Sequence, residues 1–222
     1  MKKIIYKQIR QKLFNAFGGS YAGRVYGNTN VYYAVGQQGT LLGSLYGGGF
    51  LGDIDGNTFV ELADGFVTNV YGGSRQANIG GAAHVWAYDG KFRGLENANH
   101  LIICNLYGGN DIAGEIRGTM PATFAATRWT DLSDKQFNTY VEIASDNAAD
   151  RGFPLIGSAY ASGNGVQWAE DLGSRPEVGN ALIELDGGST LRAFGGGNMA
   201  TVTGNTYIFT SFILRVFGRE AI

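Results

Sequence analysis

What this chain of 222 residues has least of is cysteine, proline and charge, and each scarcity removes a class of protein. Its one cysteine, Cys104, rules out an internal disulfide framework and a multi-cysteine zinc cluster. Within Leu101-Ile102-Ile103-Cys104 it reads as a small buried apolar residue. Three prolines beside 36 glycines exclude collagen, which needs a strict triplet period and abundant proline. A net charge of −2, with no basic stripe, gives no electrostatic footprint for nucleic acid, so none is expected as a partner. No stretch approaches the roughly 20 apolar residues of a membrane-crossing helix, so no transmembrane segment is expected. The opening Met1-Lys2-Lys3-Ile4-Ile5 starts like a signal peptide, but Lys7, Gln8, Arg10, Gln11 and Lys12 interrupt any apolar core. Without an export signal, the chain is read as working where it is made, as a virion component, or as a fragment of an extracellular surface protein. The glycine-rich segments carry no lysine-serine pair for phosphate, and His84 and His100 show no metal spacing or triad. No cofactor and no metal is expected.

What the chain does have is one phrase, imperfectly copied. An aromatic-glycine corner recurs at Phe17-Gly18-Gly19, Tyr46-Gly47-Gly48, Tyr71-Gly72-Gly73, Tyr107-Gly108-Gly109 and Phe194-Gly195-Gly196. A Gly-Asn-Thr strand follows, clearest at Gly27-Asn28-Thr29, Gly56-Asn57-Thr58 and Gly204-Asn205-Thr206. From Phe17 to Asn28, Tyr46 to Asn57 and Phe194 to Asn205 the step is 11 residues each time. Self-similarity of this kind marks a repeat architecture. The post-corner strands align as Asn28–Tyr33, Asn57–Leu62, Gly81–Trp86, Asn138–Ala144, Asn180–Leu185 and Asn205–Phe209, with side chains alternating at a period of two. A second set leads into the corners: Leu41–Tyr46, Phe66–Tyr71, Leu101–Tyr107, Leu155–Tyr160 and Leu191–Phe194, closed by Phe212–Gly218.

Two or three short strands per repeat of about 25 residues, with no helix between them, suit an all-β, right-handed parallel β-helix, a β-solenoid of about six rungs. Stacked at a strand spacing of about 4.8 Å, six rungs make a rod of about 30 Å. Glycine belongs at the corners because they demand positive φ or close backbone approach. Asparagine tolerates the left-handed conformation, and its amide can bond the equivalent amide one rung away. Asn28, Asn57, Asn138, Asn180 and Asn205 are therefore predicted to form an internal ladder. Pro121, Pro154 and Pro176 fall away from the regular rungs, as a ladder needing every backbone N–H requires. A β-sandwich is the competing fold, but it does not call for one corner at matched phase.

Residues 1–16 differ from the β-helix domain at 17–222. Ile5, Ile9, Leu13 and Phe14 share a helical face while Lys2, Lys3, Lys7, Arg10 and Lys12 face away. This predicts an N-terminal amphipathic helix cap over the first rung, with a basic membrane anchor as the alternative. The chain stops at Arg219-Glu220-Ala221-Ile222 with no comparable cap, so self-association through the C-terminal edge is expected. The corner-to-strand step lengthens to 31 residues between Tyr107 and Asn138 and to 20 between Tyr160 and Asn180. Loop insertions at about 111–136 and 161–179 are expected at the same phase of consecutive rungs, side by side on one edge, where such insertions often bind. They hold the binding candidates Arg128, Trp129, Asp131, Asp134, Trp168, Glu170, Asp171 and Arg175, a platform for a sugar ring or a protein hot spot. The alternative is that both tryptophans pack the loops onto the rod.

For catalysis the signals are thinner. Asp53 and Asp55, two apart in a strand, share one face and form a candidate acid/base pair. Glu61, Glu142 and Glu184 recur at one strand position, and like charges stacked at that spacing are expected to point into solvent. Asp64-Gly65, Asp89-Gly90 and Asp186-Gly187 read as turns. The phrase as it stands in Val70-Tyr71-Gly72-Gly73-Ser74 and Ala193-Phe194-Gly195-Gly196-Gly197-Asn198, followed by Val202-Thr203-Gly204-Asn205-Thr206, resembles glycine-rich right-handed β-helix repeats. These occur in adhesin-like surface proteins of gut Bacteroidales and in phages of such hosts. The resemblance, over residues 17 to 218, implies a β-solenoid with a structural or adhesive role and carries over no catalytic residues. The expected function is a non-enzymatic module with a glycan- or protein-binding edge; the alternative is a polysaccharide-active lyase or glycoside hydrolase.

Overall fold

Each copy of the aromatic-glycine phrase lays its strands beside those of the copy before it. The computed structural model describes residues 14–34, 41–88, 100–122, 132–145, 153–171 and 173–210. With strands numbered in chain order, sheet I contains β1 (Asn15–Phe17), β3 (Leu41–Tyr46), β5 (Phe66–Tyr71), β7 (Ile102–Tyr107), β12 (Leu155–Tyr160) and β15 (Ser189–Phe194). They pair in that order, every pair parallel. Sheet II is narrow: β8 (Gly114–Ile116), β13 (Pro176–Val178) and β16 (Thr201–Val202) pair in parallel. Single parallel bridges continue it from Ile116 through Ile79 and Ile54 to Val25. Sheet III contains β2 (Thr29–Ala34), β4 (Thr58–Asp64), β6 (Ala83–Tyr88), β11 (Thr139–Ala144), β14 (Ala181–Asp186) and β17 (Thr206–Thr210), again parallel throughout.

The chain visits sheet I, then II, then III, and returns to I beside its own earlier strand. Neighbours in a sheet are therefore one whole repeat apart in sequence, which permits parallel pairing without hairpins. This is an all-β arrangement of parallel sheets, compatible with a solenoid. A sandwich, built from antiparallel strands, is excluded. Among the described residues the one antiparallel pair lies in an insertion, between β9 (Met120–Pro121) and β10 (Gln136–Phe137).

In-register pairing turns each repeat position into a column. Val31, Val60, Val85, Val141, Ile183 and Ile208 form one on sheet III. Leu45, Val70, Leu106 and Ala159 form another on sheet I, and Ile54, Ile79 and Ile116 one on sheet II. These columns join in one buried cluster, each fully buried Val, Leu or Ile contributing about 1.5–3 kcal/mol. At the end of its column Ile208 is 48% exposed, on the outermost of the described strands of sheet III.

The corner glycines answer to close approach, not to positive φ. Positive φ occurs instead at residues such as Gly65 and Gly187, in the turns that lead from sheet III back to sheet I. A Cβ added at Gly47, Gly72 or Gly108 would lie within 3.0 Å of the carbonyl oxygen of the equivalent residue in the next repeat: Gly72, Gly108 and Ala161.

Several expectations are corrected. Asn15 and Ala16, assigned to the cap, belong to β1; residues 1–13 of the cap lie outside the described residues, as do Phe212–Gly218, the C-terminal edge and Asp89-Gly90. Pro176 stands inside a repeat strand, as its first residue, where a missing N–H is tolerated. Cys104 is half-buried, since the inward positions of β7 go to its neighbours Ile103 and Leu106. Among the described residues no helix is long and apolar enough to cross a membrane.

Gly72→Ala should destabilise the protein by about 1–3 kcal/mol, the range for forced overpacking, as read by urea denaturation. Gly27→Ala, with open space around its added Cβ, should cost far less.

Candidate functional site

The residue that ends each sheet I strand is aromatic, and the stacking of repeats brings these rings together. Phe17, Tyr46, Tyr71, Tyr107, Tyr160 and Phe194 stack with centroid separations of 4.5, 4.7, 5.0, 4.8 and 4.7 Å. Rings within 11° of parallel gain about 0.5–1.5 kcal/mol per pair beyond their burial. The buried carboxylate of Asp111 closes this ladder: the Tyr46 hydroxyl donates to its Oδ2 at 2.9 Å, and Asn164 Nδ2 to its Oδ1 at 3.0 Å. Burial, then the neighbouring Asp111 charge, pushes the Tyr46 and Tyr71 hydroxyls well above the usual phenol range. Tyr107 is pushed up to about 12, by burial first and then by Tyr160 and Asp111.

Asp111 belongs to a second column that sequence reading missed. Four residues after each corner aromatic stand Tyr21, Phe50, Arg75, Asp111, Asn164 and Asn198. Backbone bonds at this corner, such as Leu51 N–H to Tyr21 O, Gln76 N–H to Phe50 O and Ile112 N–H to Arg75 O, place them in line. Tyr21 stacks on Phe50 at 4.9 Å, and Arg75 lies over the Phe50 ring at 4.5 Å, within cation–π range. Asn198 Nδ2 donates to Asn164 Oδ1 at 3.0 Å. The signal was available as a constant offset of four residues from the corner; the change of residue type from repeat to repeat hid it.

The two insertions do not share a phase, which corrects the expectation of adjacent loops. Residues 111–118 are regular, as the bonds of Asp111, Ile112, Arg117 and Gly118 to Ser74, Arg75, Ile79 and Gly81 show. The first insertion therefore begins after Gly118 and leaves from the corner between sheets II and III. The second lies between Asn164 and β13, at the corner between sheets I and II. The step from Tyr to Asn spans both corners, so its length alone gives no side.

Of the predicted binding residues, Arg128, Trp129 and Asp131 lie outside the described residues. Asp134 is exposed on the first insertion. Trp168, Glu170, Asp171 and Arg175 come together on the second, around the four-residue helix α1 (Gln167–Glu170). Arg175 Nη2 meets Glu170 Oε1 at 2.7 Å, and Gln167 Nε2 donates to Asp171 Oδ1 at 2.8 Å. The Trp168 side chain between these pairs is 54% exposed.

The asparagines line up at the corner before sheet III, but not through amide-to-amide bonds. Asn28 Oδ1 accepts from the Asn57 N–H, Asn57 Oδ1 from Ala82, Asn138 Oδ1 from Asn180, and Asn180 Oδ1 from Asn205, each at 2.8–2.9 Å. The side chain thus satisfies a corner N–H of the next repeat. Asn28, Asn57 and Asn205 are exposed, so the row runs along the surface. Asn138 also donates from Nδ2 to the carbonyls of Ile116, Arg117 and Gly118 at 3.0–3.1 Å, tying down the start of the first insertion.

Glu61 and Glu184 are buried and Glu142 is partly buried, correcting their expected exposure. Glu184 is 0% and Glu61 9% exposed on the outer face of sheet III. Their column runs Tyr32, Glu61, Trp86, Glu142, Glu184 and Phe209, so Trp86 separates Glu61 from Glu142 while Glu142 and Glu184 stand directly opposed. Tyr88 donates to Glu61 at 2.5 Å, Tyr140 donates to Glu184, and Glu142 lies 3.5 Å from His84 Nε2. His84 stacks on Tyr140, and His100 on Phe153. Ala122, Leu132 and Phe137 of the first insertion pack beside Tyr140 and Leu182. The insertion thus covers Tyr140, the partner of Glu184, and Glu61, Glu142 and Glu184 are each engaged by a neighbouring side chain. Asp53 and Asp55 flank the inward Ile54; Asp53 accepts from the Asn78 N–H at 2.9 Å, and Asp55 pairs with Arg24 at 2.6 Å. Both are committed to neighbours. Among the described residues no group of three His, Cys, Asp or Glu side chains is placed to hold a metal ion.

No protein-family model, curated protein or solved structure matches this chain.

Tyr46, Tyr71 and Tyr107 keep their protons in the fold to higher pH than in the unfolded chain. Their contribution to stability is complete below the ordinary phenol value, about 10, and begins to be lost as pH rises through about 12, where Tyr107 ionises. Alkaline titration followed by tyrosinate absorbance should show them ionising together with loss of the β-sheet circular dichroism signal. Asn138→Ala, which removes a buried bond to the Ile116 carbonyl and part-buried bonds to Arg117, Gly118 and the Asn180 N–H, should cost about 1–3 kcal/mol in urea denaturation.

Proposed function

We propose that this chain is a right-handed parallel β-helix of about six rungs, with the segment before β1 as its cap, serving without catalysis as a structural and adhesive module of a cell surface or virion. The observation that carries this reading is the exposed Trp168 on a rigid parallel scaffold. Its indole is held out on a short insertion whose charged neighbours are paired with one another. Rigid aromatic side chains beside fixed polar groups suit a sugar ring or a protein hot spot. Support against catalysis comes from the carboxyl groups: Glu61 and Glu184 are buried, Glu142 lies against His84, and Asp53 and Asp55 are engaged locally. Among the described residues β15 and β17 are the outermost strands of sheets I and III and are partly exposed, which supports self-association through that end.

Trp168→Ala should weaken binding to the recognised surface at least tenfold while leaving circular dichroism and thermal stability unchanged. Unchanged affinity would remove the insertion from the binding site. Incubation with neutral and acidic polysaccharides should release no new reducing ends or unsaturated products; steady release at enzyme-like rates would overturn the reading. Light scattering should give a particle larger than the 23.7 kDa monomer.

A further inference from the structure

We infer that the corner between sheets I and II is a continuous binding strip for a linear neutral glycan, lying along the stacking direction from Tyr21 to Trp168. The inference rests on the reading of Trp168 as a contact residue and extends it to a second aromatic platform and a ligand class. Its first support is where apolar side chains are exposed. Among the described residues, Phe14, Tyr21, Tyr26, Tyr32, Leu191, Phe194 and Ile208 lie in the first or last described repeat, which have a described neighbour on one side alone. The two exposed large apolar residues in interior repeats are Leu51, at 44%, and Trp168, and both stand at this corner. Loss of a covering repeat explains the first group and does not explain these two.

The second support is what connects them. Tyr21, Phe50, Arg75, Asp111, Asn164 and Asn198 give one side chain per repeat, each neighbour aligned with the next. Five strand spacings make the strip about 24 Å long. It begins with stacked rings, continues with planar polar groups, and is flanked near its far end by the Trp168 indole. Sugar rings present an apolar face to aromatics and hydroxyl edges to Arg75, Asn164 and Asn198, while the buried Asp111 carboxylate anchors Asn164, and a glycan chain offers these groups in succession as the strip does. Charge selects the class. Arg75 and Asp111 balance each other in number, while Glu170 with Arg175 and Gln167 with Asp171 are paired, so the strip has no surplus cation for an acidic polymer. Shape argues against a folded protein: a corner one side chain wide does not supply the roughly 800 Å² that each partner contributes to a standard interface.

The test is titration calorimetry of the full chain with cello- and chito-oligosaccharides of one to six units, and with hexagalacturonic acid as the acidic comparison. For at least one neutral series affinity should rise tenfold or more from the dimer to the hexamer, because added units engage further repeats. Tyr21→Ala and Trp168→Ala should each lower hexamer affinity about tenfold, and Tyr21→Phe, which keeps the ring, should restore it. Circular dichroism of the variants checks folding. Absence of hexamer binding in both neutral series, length-independent affinity, or tighter binding of the acidic hexamer overturns the inference. If Trp168→Ala abolishes binding while Tyr21→Ala does not, the strip fails and the contact role of the second insertion stands.

Discussion

The fold rests on register. Each strand lies parallel to the strand one repeat earlier, with like positions directly opposed, so every position in the repeat becomes a row of side chains at strand spacing. The rows then dictate chemistry. Where the next repeat's carbonyl approaches, the residue is glycine, as at Gly47, Gly72 and Gly108. Where rows point inward, valine, leucine and isoleucine fill the interior. Where a ring follows a ring, faces stack; where an asparagine sits at a corner, its carbonyl oxygen takes the neighbouring N–H. A one-residue slip would disrupt all these rows together, which is why the register is so strongly specified.

The same constraint sorts the polar groups into structural and exposed sets. On the outer face of sheet III Glu61 bonds with Tyr88 and Glu184 with Tyr140, the latter pair beside the first insertion, and the desolvation cost of each carboxyl group is offset by its hydrogen bond. Asp111 acts similarly, joining the tyrosine ladder to the corner column through Tyr46 and Asn164. What remains open is the corner between sheets I and II, where the second insertion carries Trp168 and where Leu51 and Tyr21 meet solvent.

Much of this was legible in the sequence because it was periodic. Strand positions from Thr29 to Thr210, the aromatic row and the alignment of Asn28, Asn57, Asn138, Asn180 and Asn205 all follow from matching the copies. Three features were not legible for physical reasons. The distance from Tyr107 to Asn138 measures two corners at once, so it gave the size of an insertion and not its side. Burial around Glu184 depends on a segment far away in the chain that packs on its partner Tyr140 and on Leu182, and no local pattern reports that. The column from Tyr21 to Asn198 changes residue type at nearly every step, so it becomes visible through contacts such as those of Phe50 with Tyr21 and Arg75.

Register is tested most directly by cross-linking across sheet II. Glu115 in β8 and Glu177 in β13 are opposed residues, well separated in sequence and directed to the surface. In a Cys104→Ser background, Glu115→Cys with Glu177→Cys should form a disulfide rapidly under mild oxidation, since opposed positions fall within the roughly 4.4–6.8 Å Cα range of such bonds. Arg117→Cys with Glu177→Cys, offset by two residues and so about 7–8 Å apart, should not. Preferential cross-linking of the offset pair, or of neither, would contradict the stacked parallel register on which the account depends.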